Sequence, residues 1–361
     1  MLMHSEFLDV CAVEEIAAGA AILGAGGGGD PTLGMLMTKH AMEQHGPIRL
    51  IRVEDVPDEE WIVPLSVVGA PTVTLEKIAS GKEILEALHM LEQHLGMKTF
   101  AVYPGEIGGG NSMTPLHAAA RAGLPVVDAD LMGRAFPEIQ MTSATLVGIK
   151  ASPMSMADEK GNRLLLDAVD NVCTERLARA ATVQMGGCSH IANYAMRGGH
   201  AKQAVIPGTI SLARQIGRAL KTSRLEKRDP VEALLELLRG VLLCRGKIRD
   251  VQRKTEDGFA VGEVSLAVSG SSSQFKVAFQ NENLVAWLDG AVRATVPDLI
   301  TIVDESTGQA ILTENLKYGQ RVAVLGIPCH SKWRSAEGLK LVGPRYFRYD
   351  LDYVPVEASH G

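Results

Sequence analysis

The sequence is poor in aromatic residues. Phe, Trp and Tyr make up 4% of its 361 positions, which leaves few platforms on which nucleobases could stack. It also lacks a basic surplus. Lys and Arg number 36 against 42 Asp and Glu, a formal net charge of −6, so the concentrated positive face of a nucleic-acid binder is not expected. Paired cysteines are missing as well. The five present (Cys11, Cys173, Cys188, Cys244 and Cys329) are scattered, odd in number and without CxxC spacing, as expected of reduced thiols. No apolar run is long enough for a membrane: Trp61 to Leu75 is uncharged but short, and Pro64 and Pro71 break it. The opening MLMHSEFLDV has no basic stretch followed by an apolar core, so it does not read as an export signal. Internal repeats and low-complexity tracts are absent. These absences lead to the expectation of a cytoplasmic protein without nucleic-acid or membrane partners.

What is present is ordinary for a globular chain: 46% apolar and 22% charged residues, long enough for two domains with their own cores. The first half alternates periodicities. Val13, Ile16, Ala17, Ala20 and Ala21 recur at helical spacing in 12–23, and a second helix is expected over about 31–45. Strands are expected at 48–53, 62–68, 98–104, 124–130 and 144–150, with helices at about 81–95 and 115–122. This alternation predicts a largely parallel sheet covered on both faces. DEKGN at 158–162 reads as a turn between extended runs. Residues 170–240 carry helical patterns, and from about 247 short β segments dominate, separated by turns such as Asp289-Gly290. The expected fold is α/β: an N-terminal α/β domain (1–168) with the glycine-rich loops, then a C-terminal α+β domain (169–361) with a β-rich module.

Three constellations carry candidate chemistry. The first is Gly24-Ala25-Gly26-Gly27-Gly28-Gly29-Asp30-Pro31. It formally contains GxGxxG, but a helical pattern precedes it where a dinucleotide fold needs a strand. What remains is a permissive backbone beside a helix start. There Asp30 can act as a cap and the helix end favours an anion or polarised oxygen. A sharp helix–helix turn is the plainer reading, although one or two glycines suffice for that. The second, Gly105-Glu106-Ile107-Gly108-Gly109-Gly110-Asn111-Ser112, follows a strand and precedes a helix, where open α/β sheets bind ligands. Glu106 offers a base and Asn111 an orienting amide; a plain helix cap with a solvated Glu106 is the alternative. No GK[ST] follows either run, so a nucleotide P-loop is not supported.

The third constellation is acidic. Asp128 and Asp130 close a strand two residues apart, on one face, and Arg134, Glu138 and Gln140 follow. Paired carboxylates hold a divalent metal or perturb one another for acid–base work; Arg134 would equally make them a structural ion-pair network, and both readings stay open. Cys188, His190 and His200 match no standard zinc spacing, and Cys329-His330 is isolated. KTSRLEKR at 221–228 reads as a solvated linker, and the leucines of 231–243 as core or subunit contact.

Five segments together resemble one bacterial family: LGAGGGGDP, GEIGGGNS, VVDADLMGRAFPEIQMT, IPGTISLARQIGRA at 206–219, and the terminal EGLKLVGPRYFRYDLDYVPV. That family, formerly a domain of unknown function, is named for S-methyl thiohydantoin desulfurase, and its genes often neighbour those of hydantoinase and oxoprolinase-type enzymes. The resemblance spans nearly the whole chain. It implies an N-terminal α/β domain, a separate C-terminal domain, and hydrolysis of a hydantoin-like cyclic amide with release of a thiol. An accessory, ligand-binding subunit for a hydantoinase-type partner is the alternative, and homo-oligomerisation is expected of an enzyme this size. The matching site positions are Gly26, Gly27, Gly28, Gly29, Asp30, Glu106, Gly109, Gly110, Asn111, Asp128, Asp130, Arg134, Glu138 and Gln140. Of these, Glu106, Asp128, Asp130 and Glu138 are the catalytic candidates, Asp128 and Asp130 the metal candidates, and the rest substrate-binding candidates, with Arg134 placed on a substrate carboxylate. Where the family's ending usually reads PRYFGYD, this chain has Arg348.

Overall fold

The computed structural model describes residues 5–360, apart from 70–72, 74–79 and 257–258. The chain opens with β1 (Ser5–Leu8) and α1 (Val10–Leu23), where the Asp9 carboxylate caps the helix by accepting from Ala12 N at 2.7 Å. After the first glycine loop come α2 (Thr32–His45), β2 (Ile48–Ile51) and β3 (Trp61–Gly69). Then follow α3 (Glu83–Leu95), β4 (Thr99–Pro104), α4 (Met113–Ala122), β5 (Val126–Val127) and β6 (Ala129–Asp130). A short helix α5 (Ser143–Leu146) precedes the hairpin β7 (Met154–Ala157) and β8 (Arg163–Leu166), whose turn holds DEKGN.

Residues 144–150 are therefore not the expected strand. The Thr142 side chain caps α5 by accepting from Thr145 N, and the chain turns at Gly148 with φ 78°, so local capping overrides the β-branched composition. The part of the Trp61–Leu75 run beyond Gly69, Val73 excepted, and residues Met1 to His4 of the opening segment lie outside the described residues. Among the described residues, no helix is long and apolar enough to cross a membrane.

The first sheet runs β1-β2-β5-β4-β3, then β9 (Cys188–Ala192), β7 and β8. Its centre, β2-β5-β4-β3, is parallel, and its flanks are antiparallel. Strand β9 is reached through α6 (Asn171–Gln184). It is followed by β10 (Met196–Arg197), α7 (Gly198–Ala204), β11 (Ile206–Pro207) and α8 (Thr209–Glu226). Thus β9 pairs with β3 and β7, β11 pairs with β6, and α8 packs on α1. The two helices meet at glycines: a Cβ on Gly19 would stand 1.8 Å from the Ala213 carbonyl, and one on Gly217 would stand 1.9 Å from that of Glu15.

The second lobe starts with α9 (Pro230–Leu238) and is an antiparallel sheet of β12 (Val241–Glu256), β13 (Phe259–Val268), β14 (Gln274–Gln280), β15 (Glu282–Leu288), β16 (Ala291–Thr295), β17 (Leu299–Asp304) and β18 (Arg321–Ile327). Its order is β16-β15-β14-β13-β12-β18-β17, and α10 (Ala336–Val342) follows it. Alternating apolar residues of these strands, including Ile248, Val264, Phe275, Val277 and Val324, form the sheet's own buried core.

The lobes are joined around the first glycine loop. Thr301 Oγ1 donates to Ile22 O (3.0 Å), Asn283 N to Ala25 O (2.8 Å) and Thr313 N to Gly26 O (2.8 Å). Carbonyls at and just beyond the end of α1 thus accept from the opposite lobe, and the loop becomes the seam between the two.

Candidate functional site

The two glycine loops lie against each other. Gly110 N donates to the carbonyls of Gly28 and Gly29, each at 2.9 Å. A Cβ on Gly28 would stand 2.4 Å from Gly108 O, and one on Gly109 would stand 2.4 Å from Gly29 O. Only glycine permits this backbone-on-backbone contact, and both residues have positive φ (76° and 60°). The expectation that these amides form an array open to a ligand needs correction. Gly27 N bonds Gly24 O and Gly110 N bonds the other loop, so these amides are already occupied.

Above the joined loops is a cleft of about 250 Å³, slightly below the usual size of small-molecule sites, roughly 300–1,000 Å³. Both lobes line it. The first contributes Gly27, Gly28, Gly29, Asp30, Glu106, Gly110, Asn111 and Glu138; the second contributes Asn281, Glu282, Thr313 and Glu314.

At its floor are two buried carboxylates, Glu106 and Glu282, 7% and 2% exposed. Glu106 leaves the sheet at the carboxyl end of β4. Its Oε1 accepts from Asn111 Nδ2, and its Oε2 accepts from Phe136 N at 3.3 Å. Asn111 is itself fixed by the end of β3, accepting from Val67 N (2.6 Å) and donating to Val67 O (3.3 Å). Burial pushes the Glu106 carboxyl up to about 7 against these hydrogen bonds. Glu282 arrives from the turn between β14 and β15, where Asn281 takes the left-handed conformation (φ 58°) that asparagine tolerates. Burial, and then the nearby Glu106 charge, push Glu282 up to about 8. Its Oε2 has no hydrogen-bond partner. Both carboxyls are thus raised toward neutral pH, Glu282 further than Glu106.

Arg134 balances this pair from behind but does not line the cleft. Fully buried, it donates through Nε to Ala135 O and through one terminal nitrogen to Pro297 O (2.8 Å) and Asp298 O (2.9 Å). The guanidinium lies 4.7 Å from the Phe136 ring centre. Burial pushes it down to about 10, opposed foremost by Glu282. The expectation that it grips a substrate carboxylate is therefore corrected: it ties the lobes together and compensates buried charge.

Asp128 and Asp130 also stand elsewhere. Asp128 accepts from Ile210 N (2.9 Å), Ser211 N (3.0 Å) and the Ser211 hydroxyl. It caps α8, whose preceding residue, Gly208, has no side chain to do so. Asp130 accepts from Ile107 N (2.8 Å), Met132 N (3.1 Å) and Gly133 N (2.8 Å) and so holds the second glycine loop in place. Burial pushes it up to about 7. A cation needs lone pairs turned toward it, and here amide hydrogens occupy them, so these carboxylates do not fit a metal. Among the described residues, no group of three or more His, Cys, Asp or Glu is arranged to hold one.

Glu138 lines the outer cleft and accepts from Tyr346 Oη (2.7 Å) and from Gln140 Nε2. Gln140 itself is buried behind it, also donating to Tyr346 Oη at 2.9 Å. Arg179 lines the same region, bound to Glu175 and to Pro137 O. At the other end are Cys188, His190 and His117, and burial lowers the pKa of both imidazoles. His200 is not part of the cleft lining.

Sequence reasoning missed Glu282, Glu314, Arg179, His117 and Tyr346. For Glu282 a signal existed: Gln280-Asn281-Glu282-Asn283 is a polar quartet between two apolar β runs, which marks a hairpin turn. That this turn folds inward onto the glycine loop is tertiary information.

Fold and cleft together define a two-lobed α/β protein with a cleft of about 250 Å³, its floor carrying one buried carboxylate from each lobe. The chain belongs to the S-methyl thiohydantoin desulfurase-like family: models of the S-Me-THD-like N-terminal and C-terminal domains match residues 11–168 and 169–356. A crystal structure of a protein from Chromobacterium violaceum, a structural genomics target, is similar over 97% of this chain and 100% of its own, with TM-score 0.81 and 25% identity. No curated protein matches the chain.

Proposed function

We propose that this protein hydrolyses an S-methyl thiohydantoin, or a closely related five-membered cyclic amide, and releases methanethiol. The family supplies the reaction class, and one observation supports it most: Glu106 and Glu282, both buried, enter the same cleft floor from opposite lobes with perturbed carboxyl groups.

The chemistry balances on this pair. Ionised Glu106 takes a proton from water as the oxygen bonds to the ring carbon bearing the S-methyl group. The C=N electrons move to the ring nitrogen, which takes the Glu282 proton. Glu282, now ionised, removes the proton from the new hydroxyl as the carbonyl forms and the C–S bond breaks. Glu106 protonates the departing methanethiolate. Water is consumed, a hydantoin and methanethiol are produced, and both carboxyls return to their starting states. Asn111 keeps Glu106 oriented throughout.

The test is turnover in 18O-labelled water with detection of both products. One labelled carbonyl oxygen per methanethiol supports the proposal. Release of thiol without incorporation, or no release, contradicts it.

A further inference from the structure

We infer that the cleft selects substrates whose ring substituent carries a cation, and rejects those carrying a carboxylate. This rests on the reading above and names the substrate class within it. At the floor, burial disfavours charge on both Glu106 and Glu282, and the Arg134 guanidinium lies behind them as a compensating cation. The outer part is acidic: Asp30, Glu138 and Glu314 line it. Among the described residues, the lining cation is Arg179, already paired with Glu175.

Asp30 and Glu314 come from opposite lobes and line the same cleft. Asp30 follows Gly29, whose carbonyl accepts from Gly110 N, and Glu314 follows Thr313, whose N donates to Gly26 O across the seam. Asp30 Oδ1 accepts from Thr32 N at 2.8 Å. The charge of Asp30, after burial, raises the pKa of Glu314. The nearest opposing cation, Arg253, is anchored on the carbonyls of Thr313 and Leu316 and is not part of the cleft lining. A cation between Asp30 and Glu314 would relieve their repulsion, while a carboxylate would add to it. That the cleft takes a ligand at all is marked independently by Glu282, whose Oε2 is buried in the lining without a hydrogen-bond partner.

The experiment compares S-methyl thiohydantoins made from lysine, norleucine and glutamate, with the corresponding hydantoins as binding probes by calorimetry. The expected order of kcat/KM and of affinity is lysine over norleucine over glutamate, with about tenfold at each step at low salt, shrinking in about 0.5 M salt. In the Asp30→Asn, Glu314→Gln double variant the lysine-to-norleucine ratio falls toward one. Equal handling of lysine and norleucine compounds by the native chain, or preference for the glutamate compound, overturns the inference and leaves desulfuration standing. The binding order without thiol release from any compound keeps the charge selection and overturns the desulfuration reading.

Discussion

Glu282 rests directly on Gly27: a Cβ at that glycine would stand 2.0 Å from Glu282 Oε1 and 2.5 Å from Cδ. The contact joins the second lobe's carboxylate to the first lobe's loop, so the absence of one side chain sets the position of another. Gly27 does not need a positive φ, and its requirement is purely one of space. Gly27→Ala is therefore expected to push Glu282 off its position and lower kcat/KM about 10²-fold, with far-ultraviolet circular dichroism unchanged. Native activity in this variant would mean that Glu282 does not work from where it is seen.

Asp128 is a helix cap in this account and not a metal ligand. Asp128→Ala removes acceptors from Ile210 N and Ser211 N and is expected to lower stability by about 1–2 kcal/mol, measured by urea unfolding. Activity per folded molecule should be retained. Loss of turnover at full stability would restore a chemical role for this residue.

Arg348 has φ 66°, in the left-handed region where a side chain costs about 1–2 kcal/mol. Arg348→Gly is expected to raise stability by about 1 kcal/mol, less what glycine's unfolded-state freedom takes back. Chemical denaturation checks it, and a destabilised variant would show that the arginine side chain outweighs the backbone strain.

The carboxyl of Glu282 also has a cost. Unfolded, it ionises near its ordinary value of 4.5; folded, it stays neutral up to about 8. Stability from this group is complete below pH 4.5 and is lost as pH rises through 8. Glu282→Gln cannot ionise, so its melting temperature should match the native chain's near pH 5 and exceed it by a few degrees at pH 8.5. Parallel curves across that range would show that Glu282 does not hold a raised pKa.

Much of the fold was legible because it rests on periodicity. The strand expected at 98–104, the helix expected at about 81–95 and the turn at 158–162 follow from local patterns and short-range capping. The glycine loops were legible for the same reason, since four adjacent glycines have few plain uses. What the pattern does not carry is partnership across the chain. Asp128 and Asp130 share a strand end, but their donors come from 210–211 in one case and from 107, 132 and 133 in the other. Arg134 looks like a substrate clamp until Pro297 and Asp298, more than 160 residues away, occupy it. Glu282 enters the cleft only because β14 and β15 close over a loop some 255 residues earlier.

The pH dependence of methanethiol release by the native chain and by Glu282→Gln tests the pairing of Glu106 with Glu282. With Glu106 ionised above about 7 and Glu282 protonated below about 8, kcat/KM for the native chain should follow a bell with its maximum between those values. In Glu282→Gln the residual rate should keep the rise near 7 and lose the fall near 8. A native profile flat from pH 6 to 9, or an alkaline limb that survives the substitution, would contradict the assignment of this pair.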